Sequence, residues 1–128
     1  MRLENILEEV KVLAAEAGEF IAEQRLNFDT SKVETKHSHD YVSYVDKECE
    51  RRIVSRLKEI IPEAGFITEE NTVEQKTEST EYYWIVDPLD GTTNFIHDLA
   101  PYCVSIALRN SQEILLGVVY EVTRKELY

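Results

Sequence analysis

Asp87 and Asp90 lie three positions apart in the run Asp87-Pro88-Leu89-Asp90-Gly91-Thr92-Thr93-Asn94. Pro88 keeps the β-prone stretch Trp84-Ile85-Val86 from running straight on, and a turn there returns both carboxylates to one side. Oxygen ligands of this kind suit a hard cation such as Mg²⁺, which is usually held by one or two carboxylates together with waters and a substrate phosphate. Gly91 lets a ligand approach the backbone closely, and Thr92, Thr93 and Asn94 are residues that open helices or tight turns, where exposed N–H groups bind a phosphate. Acidic ligands, a hydroxyl and phosphate-accepting N–H groups thus fall within eight consecutive residues. A capped surface turn uses the same residue types. It does not explain the second acidic pair, Glu69-Glu70, after another short β-prone run whose sheet neighbours could bring it beside Asp87.

The elements that must position these residues are written in the hydrophobic periods. Leu3, Ile6, Leu7, Val10, Leu13, Ala14, Ala17, Phe20 and Ile21 recur at spacings of three and four and predict one long helix. Val45, Cys49, Ile53, Leu57 and Ile60 repeat the pattern and predict a second helix from about Asp46 to Ile61, stopped by Pro62 and Gly65. The polar stretch between them, Asn27 to Asp40, reads as a loop with a short strand near Val33. Beyond the helices the period changes. Phe66-Ile67-Thr68, Tyr82 to Val86, Tyr102 to Leu108 and Ile114 to Val122 read as strands, the last two forming an antiparallel hairpin about the polar Arg109 to Glu113. Glu126-Leu127-Tyr128 opens one more strand. The expected fold class is α+β, with two N-terminal helices packed on one face of a mostly antiparallel β-sheet. The other face of that sheet then needs a partner, either a second copy or a further C-terminal half.

With 128 residues, 43% of them hydrophobic, the chain has material for one core, so residues 1–128 are expected to form a single domain. A formal charge of -11 repels a phosphate backbone, which argues against a nucleic-acid partner. It does not argue against a small phosphate ester, because bound divalent cations reverse the local field of an acidic pocket. The N-terminus is amphipathic and charge-rich, unlike a secretory signal or a membrane span, so no membrane partner and a cytoplasmic setting are expected. Cys49 and Cys103 sit in apolar patterns and read as buried, reduced thiols. His37 and His39 read as a solvated loop pair, His97 as a turn residue and Lys36 as an exposed lysine.

The run Trp84 to Phe95 resembles the signature of the inositol monophosphatase family, and Val104-Ser105-Ile106-Ala107 continues it. Glu69-Glu70, the segment Asp40 to Asp46 and Gly117-Val118-Val119-Tyr120 agree with the same family in the same order. The resemblance implies the N-terminal half of that family's layered α/β sandwich, and a homodimer is the expected assembly. It implies that Glu69, Asp87, Asp90 and the main-chain carbonyl of Leu89 ligate Mg²⁺, with two or three ions in the complete site. Gly91 and Thr92 would bind the substrate phosphate. Thr92, hydrogen-bonded to Asp46, and Glu69 would position and deprotonate a metal-bound water, with Glu70 in support. The reaction implied is in-line attack of that water on the phosphomonoester of a small sugar or polyol, inositol monophosphate-like, without a covalent phosphoenzyme and with sensitivity to lithium. Two departures stand out: Thr68 replaces a glycine common before the acidic pair, and a further metal-binding Asp with most substrate contacts belongs to a C-terminal half beyond Tyr128. The chain therefore reads as the truncated metal-binding half of a domain. Two alternatives remain: a haloacid-dehalogenase-like phosphatase, whose paired aspartates are separated by one residue rather than two, and a non-catalytic half-domain that binds metal or a partner.

Overall fold

The computed structural model describes residues 2–27, 35–68 and 81–128, and gives the backbone alone for residues 35–40. Helix α1 (Leu3–Leu26) buries Ile6, Val10, Leu13, Ala14, Ala17, Gly18, Phe20 and Ile21, the stripe its spacing predicts. Helix α2 (Thr35–Ile60) starts well before the expected Asp46 and ends just short of Pro62. Tyr41, Val42 and Val45 continue the apolar face of Cys49, Ile53 and Leu57, and neither Pro nor Gly interrupts them. Thr35 to Asp40, expected in a loop, thus belong to the helix. The strand expected near Val33 lies outside the described residues.

Five strands follow in the order β1 (Gly65–Thr68), β2 (Tyr83–Asp90), β3 (Cys103–Arg109), β4 (Ile114–Glu121) and β5 (Glu126–Leu127), with the short helix α3 (Thr92–His97) between β2 and β3. The sheet keeps sequence order: β1 pairs parallel with β2 and every later pair is antiparallel. The β3–β4 hairpin turns on Asn110, whose side-chain oxygen accepts the N–H groups of Gln112 and Glu113 at 2.9 and 2.8 Å. Pro88 does not end β2, as expected from sequence, but is absorbed in a bulge. The ladder steps from Asp87↔Ser105 to Asp90↔Cys103, so Pro88 and Leu89 together oppose Val104.

Both helices lie on one face of this sheet, as the expected α+β arrangement requires, and Trp84, Val86, Val104, Ile106, Leu108, Val118 and Tyr120 are buried in its core. α1 lies against β3 and β4, and α2 against β2. Gly18 is what lets α1 approach, since a side chain there would meet the Tyr120 ring at 2.2 Å. On the opposite face Ile67, Ile85, Ala107 and Gly117 line up in register across four strands. Ile67 is 48% exposed and the neighbouring Val119 37% exposed, and no atom lies within 4 Å of a side chain built at Gly117.

Candidate active site

β2 is the strand that carries the two aspartates, and its alternation decides where they point. Trp84, Val86 and Pro88 are buried toward the helices, while Ile85 and Asp87 are half-buried on the opposite, open face. The bulge resets this alternation. Leu89 is buried, Asp90 emerges exposed at the strand end opposite Cys103, and Gly91 leads into α3. The charge gathered there is felt by Cys103, whose thiol is pushed up first by burial and then by the carboxylates of Glu121, Asp90 and Asp87.

Gly91 has φ +94°, a left-handed conformation, and a Cβ there would sit 2.8 Å from the Pro101 carbonyl oxygen. Its missing side chain thus makes room for the chain's own Pro101-Tyr102 backbone as much as for any ligand. Asn94 fastens the same spot, its amide donating to the Pro101 carbonyl at 2.8 Å. The Phe95 and Tyr102 rings meet edge to face at 5.6 Å. Thr92 is half-buried at the first position of α3, and α2 touches α3. Asp46 is buried on α2, one turn from Glu50, which is fully buried.

Between these two carboxylates Cys49 is also fully buried, and its Sγ donates to the Pro88 carbonyl at 3.7 Å. Burial, reinforced by the neighbouring Asp46, pushes this thiol up to about 12, so it stays protonated. Nothing in the sequence marks Cys49 as more than a core thiol, because its partner is a main-chain oxygen 39 positions away. Glu121 was equally silent. It is buried at the end of β4 and accepts N–H bonds from Tyr102 at 3.3 Å, Thr123 at 3.3 Å and Arg124 at 2.7 Å, tying the β3 start to the turn after β4.

The structure therefore brings Asp87, Leu89, Asp90, Gly91 and Thr92 to one end of the sheet, with Asp46 buried on the helix that packs against β2 and α3. Glu69 and Glu70 lie outside the described residues. β1 ends at Thr68, buried and paired with Val86, one position before Asp87 on the neighbouring strand. His97 is exposed in α3, whereas His37, His39 and Lys36 belong to the helical backbone of α2 rather than to a loop. Among the described residues no three His, Cys, Asp or Glu side chains gather into a cation site. The donors that Asp87, Asp90 and the Leu89 carbonyl could offer are all oxygen, the chemistry of a partial Mg²⁺ shell rather than of a thiolate or imidazole site.

The sequence profile of the inositol monophosphatase family matches residues 2–128. An inositol-1-monophosphatase of Mesorhizobium japonicum is 38% identical over 115 residues, which is 90% of this chain and 43% of that protein. A protein named Nus factor SuhB, from Escherichia coli strain K12, is also 38% identical over 115 residues, with the same two coverages. Among solved structures, inositol monophosphatase-II from Staphylococcus aureus MSSA476 aligns with a TM-score of 0.80 at 28% identity, over 97% of this chain and 45% of that one. The chain thus spans less than half the length of the relatives it matches. With the match running from the first helix through the last strand, the chain belongs to the inositol monophosphatase family.

Proposed function

We propose that residues 1–128 are the N-terminal, metal- and phosphate-binding half of a domain that hydrolyses the phosphomonoester of a small sugar or polyol, inositol monophosphate-like in class. The observation that carries this reading is the placement of Asp87 and Asp90 on either side of the β2 bulge, running directly into Gly91 and α3. Asp87, Asp90, the Leu89 carbonyl and Glu69 would hold Mg²⁺, two or three ions in the complete site. When bound, the ions supply positive charge to the phosphate and leaving oxygen and acidity to a water. Gly91 and Thr92 hold the phosphate through backbone N–H groups and the Thr92 hydroxyl. Asp46, fixed by burial on α2, orients that hydroxyl. Glu69, supported by Glu70, accepts a proton from the attacking water. The partial oxygen shell at Asp87 and Asp90, and the end of β1 at Thr68 beside Val86, support these assignments. We further infer a cytoplasmic homodimer, sensitive to lithium, without a nucleic-acid partner. Among the described residues no helix is long and apolar enough to cross a membrane.

A second reading, a partner-binding module without turnover, is favoured by the relatives that carry the name Nus factor SuhB. Phosphate release from inositol monophosphate separates the two. A chain extended to the length of its relatives is expected to release phosphate only with Mg²⁺, and Asp87→Asn to lower its turnover by about 10³-fold. The 128-residue chain alone is expected to be nearly inactive. An extended chain without activity, or Asp87→Asn at parental rate, overturns the hydrolase reading.

A further inference from the structure

The bulge that separates Asp87 from Asp90 creates a mechanical problem. Within a regular ladder each peptide plane is fixed by bonds to both neighbours, but at a bulge the pairing is interrupted and local orientation must be set by something else. Pro88 lacks an N–H group, so only its carbonyl can anchor it. The peptide that begins with this carbonyl leads directly into Leu89 and then Asp90. Any rocking of it changes the direction of the Leu89 carbonyl and the separation of the two carboxylates.

An anchor is present on the helix side. Cys49 lies on α2 between the fully buried Val45 and Ile53, each one turn away, so its side chain has no room to move. Its Sγ sits 3.7 Å from the Pro88 oxygen. The thiol is a weak donor, but it is held protonated and works away from water, where a competing solvent bond is absent. The same helix carries Asp46, one turn earlier and also buried, so a single rigid element holds both the bulge and the residue assigned to orient Thr92.

We propose that Cys49 is a positioning residue for the cation site: its thiol holds the Pro88 carbonyl and thereby fixes the bulge that sets Asp87, the Leu89 carbonyl and Asp90. This role rests on the reading of those groups as cation ligands. The competing role is that of a core filler, and three substitutions in the 128-residue chain separate them. Cys49→Ser keeps a donor of similar size, Cys49→Val keeps the volume without a donor, and Cys49→Ala keeps neither. Mn²⁺ affinity, followed by electron paramagnetic resonance, and the thermal midpoint are measured on each. Cys49→Val and Cys49→Ala are expected to weaken Mn²⁺ binding about tenfold, and Cys49→Ser to stay within about twofold of the parent, whatever the order of their thermal midpoints. Equal Mn²⁺ affinity in all folded variants overturns the positioning role and leaves the cation site standing, as does a Ser variant as weak as Val. A parent chain that binds no Mn²⁺ overturns the cation reading itself, and the positioning role with it.

Discussion

Glu121 shows how one buried carboxylate can be kept charged by its surroundings. Burial pushes its carboxyl up, but the Thr123 hydroxyl and the N–H groups of Arg124, Thr123 and Tyr102 outweigh this and hold it below the ordinary value of 4.5. A carboxyl depressed in the folded state contributes stability that is complete above its unfolded value and is lost as pH falls through the folded one. Glu121→Gln is therefore expected to lower the thermal midpoint at neutral pH, with the gap to the parent closing as pH falls below about 4. A gap that stays constant over that titration would show that the charge contributes nothing. At this scale the acidic run was legible and its fastenings were not. Asp87, Asp90 and Gly91 announce themselves by type and spacing, whereas Cys49 and Glu121 act on main-chain groups that reach them only after the chain has folded.

Helices and strands were legible wherever one face is apolar. α1 and the β3–β4 hairpin follow their periods closely, because each buries a single face. The start of α2 was hidden by its polar residues, which outnumber the few apolar positions marking the buried side. Pro88 lies within the strand rather than at its end because a bulge tolerates a missing N–H that a regular ladder does not. The junction between β2 and α3 depends on Gly91 in the same way. Gly91→Ala combines a left-handed backbone with a contact to the Pro101 carbonyl, and is expected to cost about 2 kcal/mol from the backbone alone. Urea denaturation measures it, and an unchanged midpoint would mean that the junction relaxes without strain.

At the scale of the whole molecule, the main consequence follows from the open sheet face. Two helices cover only one side of a sheet, so its other face needs a partner, but the residues that form that face are not marked in the sequence. The register supplies them: Ile67, Ile85, Ala107 and Gly117 make a nearly uncharged row that ends beside Asp87 and Ser105. The 128-residue chain is expected to bind an apolar fluorescent dye while folded. Ile67→Lys, on the edge strand, should cut that binding severalfold with little loss of stability, and undiminished fluorescence would place the dye elsewhere.

The seat of Tyr120 on Gly18 joins the first helix to the fourth strand. α1 leaves the ribosome before β4, the strand whose Tyr120 completes its packing. α2 can cover part of the apolar stripe once it is made, but the part that meets β3 and β4 stays open until those strands follow, and a lone helix gains little from its own hydrogen bonds. The contacts that close this core are thus far apart in sequence, so α1 relies on α2 for shelter until β3 and β4 arrive.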